Sequence, residues 1–332
     1  MGEHNELHDV IIIGGGTTGL FAAFYCGMRD LKTKVIESGS ELGGKVLQFL
    51  PEKLIYDVGG IPQITGDQLV EQMIEQASIN QPTIIFNQWI ETITKDEDDI
   101  FTLTSSDGTR HRAKAVIVAT GTGKFNPVKP EVDGLESFEQ KSVHYTISNL
   151  QQFAGKQIMI ASNNRIGIDW ALTLENIAER VYLVNNKNTF QHAADEELQS
   201  LEESSVIVEL NSNLIELQGE DGWLDEITIK SDEKGEQRIK VDHLLGYNGL
   251  KMVATPFKEW GLETSSGKVA VDHYMATNIE GIFAAGDSTG YPGKTMLIAS
   301  GYTEGLTAVN SVAKYLNPKA APQVYSTVIY RK

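Results

Sequence analysis

Three glycines and one acid carry the first chemistry visible in this chain. Gly14, Gly16 and Gly19 follow the apolar run Val10-Ile11-Ile12-Ile13, and Glu37 closes the run Lys34-Val35-Ile36. That spacing suits the pyrophosphate of a dinucleotide. The first glycine permits a sharp turn, the second lets phosphate approach the backbone, and the third lets helix and strand pack closely. Free N–H groups and a partial positive charge at the following helix N-terminus would meet the phosphates. Glu37 falls where an acid would hold the adenosine ribose hydroxyls. A glycine triad alone says little; here strand, turn, helix and acid stand in register.

These residues need a βαβ unit to position them, and the chain offers two. The first runs from Val10 to Glu37. The second comprises Gln157 to Ala161, a helix expected from about Ile166 to Arg180, and Val181 to Val184. Between them, Phe101 to Thr104 and Ala113 to Ala119 read as strands around the turn Ser106-Asp107-Gly108. Glu226 to Ser231 and Gln237 to Leu244 read as a hairpin around Asp232 to Gly235. A last strand, Gly281 to Ala285, ends at Gly286-Asp287, and a final helix is expected over about Thr295 to Tyr315.

Composition narrows the partners. A chain of 332 residues is about two domains' worth. A net charge of −17 argues against nucleic acid and anionic membranes, and disfavours long-range attraction to an acidic protein. No stretch reaches the roughly 18 unbroken apolar residues of a membrane span. The polar start, Met1 to Glu6, lacks the pattern of a signal peptide, so a cytoplasmic protein is expected. The single cysteine, Cys26, allows neither an internal disulfide nor a CxxC pair, and reads as a small buried apolar residue. The seven histidines show no metal-binding spacing, and no metal site is expected.

The arrangement resembles the flavoprotein disulfide reductase superfamily of two dinucleotide-binding folds. The resemblance rests on Gly14 to Gly19 with Glu37, on Ala119-Thr120-Gly121, on Thr277 to Asp287, and on their spacing. The size matches thioredoxin reductases, whose CxxC is missing here. What remains resembles the thioredoxin-reductase-like ferredoxin–NADP reductases along nearly the whole chain. Further matching stretches are Leu42 to Val46, Pro51 to Gly60, Asp169 to Leu172, Lys258 to Glu263 and Tyr291 to Lys294. The resemblance implies an α/β fold of two three-layer ββα-type Rossmann-like domains, the second inserted into the first. The FAD domain would use residues 1–122 and 246–332, and the NAD(P)H-binding-like domain residues 123–245. FAD contacts would fall on Gly14, Gly16, Thr18, Gly19, Glu37, Lys45, Leu50, Ile90, Phe125, Asp287 and Thr327. Asp287 would accept a hydrogen bond from the ribityl chain, and the helix from Thr295 would point its N-terminus at the flavin ring. No side-chain acid or base would be required, since the protein supplies position and electrostatics. The resemblance also implies a homodimer, with ferredoxin or flavodoxin as partner.

The chain departs from that family at the second dinucleotide turn. Relatives read roughly Gly-Gly-Gly-Asp-Ser-Ala-Val before Asp-Trp-Ala-Leu; this chain has Ser162-Asn163-Asn164-Arg165-Ile166-Gly167-Ile168. Only Gly167 survives. Asn164 replaces the glycine that admits phosphate, although asparagine tolerates a left-handed backbone. Arg165 is either a compensating phosphate ligand or a solvated helix-start residue. The basic cluster that relatives use for the 2′-phosphate is reduced to Lys187 within Asn185 to Gln191. Each lost arginine–phosphate hydrogen bond is worth roughly 1.5–3 kcal/mol, so two would weaken NADPH by about two orders of magnitude. Leu50 stands where relatives place a tyrosine, and Tyr325 where they place an aromatic or histidine over the other ring face. Two readings stay open. One is an FAD-dependent oxidoreductase passing electrons between NAD(P)H and a ferredoxin, flavodoxin or small acceptor. The other is a flavoprotein that has lost its NADPH or NADH site and uses another donor, or acts as a sensor or partner protein. A third, a disulfide reductase, is nearly excluded by the single cysteine.

Overall fold

The computed structural model describes residues 6–139, 141–147 and 149–330. Its helices are α1 (Thr17–Met28), α2 (Gly44–Phe49), α3 (Gly66–Ser78), α4 (Arg165–Glu175), α5 (Asp195–Glu202), α6 (Ile298–Leu316) and α7 (Ser326–Ile329). The chain divides into two compact units. One runs to Lys124 and resumes at Val253; the other spans Phe125 to Met252. Residues 243–247 form one strand of the second unit's sheet, so the chain leaves that unit only after Met252.

The first unit is built on a seven-stranded sheet. Its order is Thr83–Ile85, Thr33–Ile36, Leu7–Ile13, Arg110–Val118, Phe101–Ser105 and Ile90–Lys95. The first four run parallel. Strand Arg110–Val118 pairs antiparallel with Phe101–Ser105 through its first half and parallel with Ile282–Ala284 through its second. The run Val10 to Ile13 is buried on both faces, as the inner strand of a parallel sheet must be. Its alternation assigns the layers. Val10 and Ile12 face α1, α3 and α6 through Leu20, Met73 and Val309. Ile11 and Ile13 face Phe101, Trp260 and Val269 on the other side.

The second unit has a five-stranded parallel sheet ordered Val143–His144, His243–Tyr247, Gln157–Ser162, Arg180–Val184 and Ile207–Glu209. Ile158 and Ile160 face a layer containing Ile168 and Leu174 of α4. Met159 and Ala161 face Leu214, Ile227 and Ile229 of an antiparallel sheet made by Ser212–Glu220, Trp223–Ser231 and Gly235–Lys240.

Some element bounds differ from the sequence reading. Helix α4 stops at Glu175 rather than Arg180, because the amides of Ile177 and Ala178 both turn back to the Leu174 carbonyl. The hairpin arm ends at Lys240. The Asp242 carboxylate then accepts from the Gln157 amide while its own amide donates to the Gln157 carbonyl, and His243 onward joins the parallel sheet. The final helix starts at Ile298, with Leu297 as its N-cap. Among the described residues no helix is long and apolar enough to cross a membrane.

Candidate functional site

In the first unit, the carboxyl ends of three neighbouring parallel strands meet. Leu7–Ile13 delivers Gly14, Arg110–Val118 delivers Ala119, and Ile282–Ala284 delivers Gly286 and Asp287. Such a sheet edge is the usual place for a ligand crevice. The glycines there do different work. Gly14 has φ +107°, and a Cβ on it would lie 2.4 Å from the Ala119 carbonyl oxygen. A Cβ on Gly19 would lie 1.9 Å from the Gly14 oxygen, so α1 can seat on the turn only with glycine there. Gly16 is another matter: a Cβ there would meet nothing nearer than the Gly44 Cα at 3.9 Å. The space beyond Gly16 is therefore open, and Gly16 caps α1 with no side chain. That leaves first-turn amides to meet an anion.

Glu37 closes the turn. One carboxylate oxygen accepts from the Gly15 amide at 2.7 Å; the other accepts from the Gly39 amide at 2.7 Å and the Ser38 hydroxyl at 3.1 Å. A carboxylate offers about four acceptor positions, so capacity for further hydroxyl donors remains. A second glycine pair, Gly43 and Gly44, both at positive φ, borders the same opening: the Gly43 amide donates to the Gly15 carbonyl at 2.9 Å. Lys45 in α2 then pairs with Asp287 at 2.5 Å. Thr18 packs its side chain where a Cβ on Gly286 or Gly301 would intrude.

The remaining expected flavin contacts are placed less directly. Ile90 is buried in the core layer with Phe101 and Trp260. Leu50 ends α2 and is exposed. Tyr325 is 58% exposed and its hydroxyl meets the Gln323 side chain; Thr327 lies exposed in α7. Phe125 opens the second unit. Sequence reasoning gave no role to Gly43, Gly44 or Glu304. The signal for Glu304 was an acid within the buried stripe Gly301, Gly305, Ala308, Val309 and Val312.

The corresponding turn in the second unit is arranged otherwise. Asn164 sits at φ −143°, so its tolerance of left-handed backbone is unused. It instead caps α4: its side-chain oxygen accepts from the Ile166 amide at 3.0 Å, and its nitrogen donates to the Tyr247 carbonyl at 3.4 Å. The amide that a phosphate would engage is thus already bonded. Arg165 pairs with Glu197 at 2.5 Å. A Cβ on Gly167 would lie 2.3 Å from that of Ser162, which makes this glycine a packing requirement. Beyond strand Arg180–Val184, buried Asn185 folds the loop on itself, accepting from the Lys187 amide at 2.8 Å and donating to the Thr189 carbonyl at 2.9 Å. The Lys187 residue is exposed.

Cys26 is fully buried in α1, and burial pushes its thiol up to about 12. It is inert at neutral pH. Among the described residues no group of three or more His, Cys, Asp or Glu is placed to hold a metal.

Residues 8–306 match the profile of the pyridine nucleotide-disulphide oxidoreductase family. Ferredoxin–NADP reductase 1 of Bacillus velezensis is 42% identical over 329 residues, covering 98% of each chain. Ferredoxin–NADP reductase 2 of Shouchella clausii is 41% identical over 322 residues, covering 96% of this chain and 97% of that one. Among solved structures, Lactococcus lactis thioredoxin reductase superposes with a TM-score of 0.58 at 24% identity, over 93% of this chain and 99% of that one; this likeness concerns the fold.

Proposed function

Because this chain belongs to the pyridine nucleotide-disulphide oxidoreductase family, we propose that it is an FAD-dependent oxidoreductase of the ferredoxin–NADP reductase type. It passes electrons from a reduced nicotinamide to a ferredoxin or flavodoxin. The observation that carries this reading is the opening at Gly16, with an uncapped α1 on one side and Glu37 on the other. The residues fit a dinucleotide there. The α1 amides would take the pyrophosphate, Glu37 the adenosine ribose, and Asp287, steadied by Lys45, the ribityl hydroxyls. Bound FAD supplies a ring that accepts two electrons from the nicotinamide and releases them to a carrier. The chain contributes position and the positive N-terminal end of α6.

The lone buried Cys26 separates this protein's chemistry from that of thioredoxin reductases. One thiol at about 12 provides no dithiol to relay electrons, so they leave for an external acceptor. The proposed assembly is a cytoplasmic homodimer.

A second reading is favoured by one observation. Asn164 occupies the α4 amide, and Glu197 neutralises Arg165, so NADPH binds weakly and another donor supplies the electrons. A coupled assay decides between them. Purified protein is given NADPH or NADH, a ferredoxin or flavodoxin, and cytochrome c as the final indicator. Cytochrome c reduction that requires the carrier supports the reductase. No reduction with either nucleotide, while dithionite-reduced protein still passes electrons to the carrier, supports the second reading.

A further inference from the structure

Glu304 is 4% exposed and lies on the inner face of α6. Its carboxylate gathers donors from the turn and loop that precede the helix. One oxygen accepts from the Gly286 amide at 2.7 Å and faces the Thr289 hydroxyl at 3.5 Å. The other accepts from the Tyr291 hydroxyl at 2.5 Å. The Lys294 ammonium reaches both oxygens, at 2.5 and 2.6 Å, and its side chain is only 7% exposed. Burial first, and Glu304 second, push the Tyr291 hydroxyl up to about 12, so it remains a donor at neutral pH.

A buried ion pair is a weak source of stability. Two charges leave water, and well-packed apolar replacements are often neutral or better. What this pair does supply is geometry. Gly286 opens the turn that carries Asp287, at φ +77°, and Glu304 stands in the second turn of α6. A single carboxylate bonded to that turn and to the loop through Tyr291 and Lys294 keeps all three in register. If one moves, a buried charge loses a partner.

We propose that Glu304 and Lys294 are positioning residues for the flavin: they lock the Asp287 turn to α6, so that the carboxylate and the positive end of the helix keep a fixed spacing. The proposal rests on the FAD reading above. Neither residue needs to touch the cofactor. Loosening the lock weakens flavin binding and reduces stabilisation of the negative charge that reduction brings, which makes the midpoint potential more negative.

The test uses the Glu304→Gln/Lys294→Met double variant, which removes both charges, and Tyr291→Phe, which leaves the ion pair intact. For each, three quantities are measured: the Tm of the deflavinated protein, the Kd for added FAD by fluorescence, and the midpoint potential of the reconstituted flavin. The expected double variant melts within a few degrees of wild type, binds FAD roughly tenfold or more weakly, and has a more negative potential. Tyr291→Phe shifts affinity and potential in the same direction by less. Wild-type affinity and potential in the double variant, whatever its Tm, would show a merely structural pair and overturn the proposal. If the double variant does not fold, Tyr291→Phe decides alone, and wild-type values for both quantities overturn it. Wild-type protein that takes up no FAD overturns the flavin reading itself, and the proposal with it, before any variant is compared.

Discussion

At the scale of single residues, the glycines of the first turn divide by what stands in front of each. Gly14→Ala places a methyl against the Ala119 carbonyl at an unfavourable φ, and should cost about 3 kcal/mol or more, seen as a large fall in Tm with or without FAD. Gly16→Ala meets open space, so its deflavinated protein should melt as wild type does while FAD binds roughly tenfold or more weakly. Equal damage to the fold from both would remove the distinction between a folding glycine and a ligand-facing one. Asn164 makes the opposite case. Asn164→Ala loses a helix cap worth about 1 kcal/mol, whereas Asn164→Gly loses only a few tenths and frees the Ile166 amide. The glycine variant should lower KM for NADPH with kcat little changed, in steady-state assays; an unchanged KM would show that the cap does not limit binding. Gly14 and Gly19 were legible in the sequence because close backbone contacts there admit no Cβ, and Gly16 because its place between them marks where a ligand would approach the turn. Asn164 was not, since asparagine serves both left-handed turns and caps, and only the backbone decides which. Glu304 escaped for a related reason: an acid in a helix gives no sign of burial until its partners are in place.

At the scale of elements, the parallel sheets were legible where apolar runs end in glycine, as at Ile13 and Ala285. They were obscure where polar residues interrupt the pattern. Strand Ser212–Glu220 passes unnoticed because Asn213, Glu216, Gln218 and Gly219 blur its alternation and its register shifts twice. The run Gln237 to Leu244 reads as one strand although Asp242 divides it between two sheets. The second sheet also carries a titratable joint. His144 and His243, on adjacent strands, bring ring nitrogens within 3.1 Å, and Phe153 stands edge-on to both. Burial lowers His144 from 6.5 to about 4, and lowers His243 as well. The folded chain therefore holds His144 neutral where the unfolded chain takes up a proton. Stability is full above about pH 6.5 and is lost as pH falls toward 4, by about 3 kcal/mol from His144. Denaturant unfolding between those values should show this slope, and His144→Gln should flatten it. An unchanged slope would place the acid sensitivity elsewhere.

At the scale of the whole molecule, a chain of 332 residues with one buried cysteine and a net charge of −17 combines two units, one built on a mixed seven-stranded sheet and the other on a five-stranded parallel sheet, each covered by helices on one face. The return of the chain to the first sheet was readable from Gly281 to Asp287, a strand ending in glycine and an acid, far beyond the second βαβ unit. The two units differ at their first strand-to-helix turns. The first leaves its helix end open, while the second closes it with Asn164 and pairs its nearby arginine with Glu197. On the proposed reading, electrons nevertheless enter from a nicotinamide and leave through a flavin. The most direct test is an anaerobic titration of the purified, FAD-loaded protein with NADPH and then NADH, followed through the visible flavin absorbance. Complete bleaching with about one equivalent of NADPH per flavin is expected, the two-electron stoichiometry of nicotinamide and flavin. Absorbance that neither nucleotide changes, in a sample that dithionite still bleaches, would contradict it.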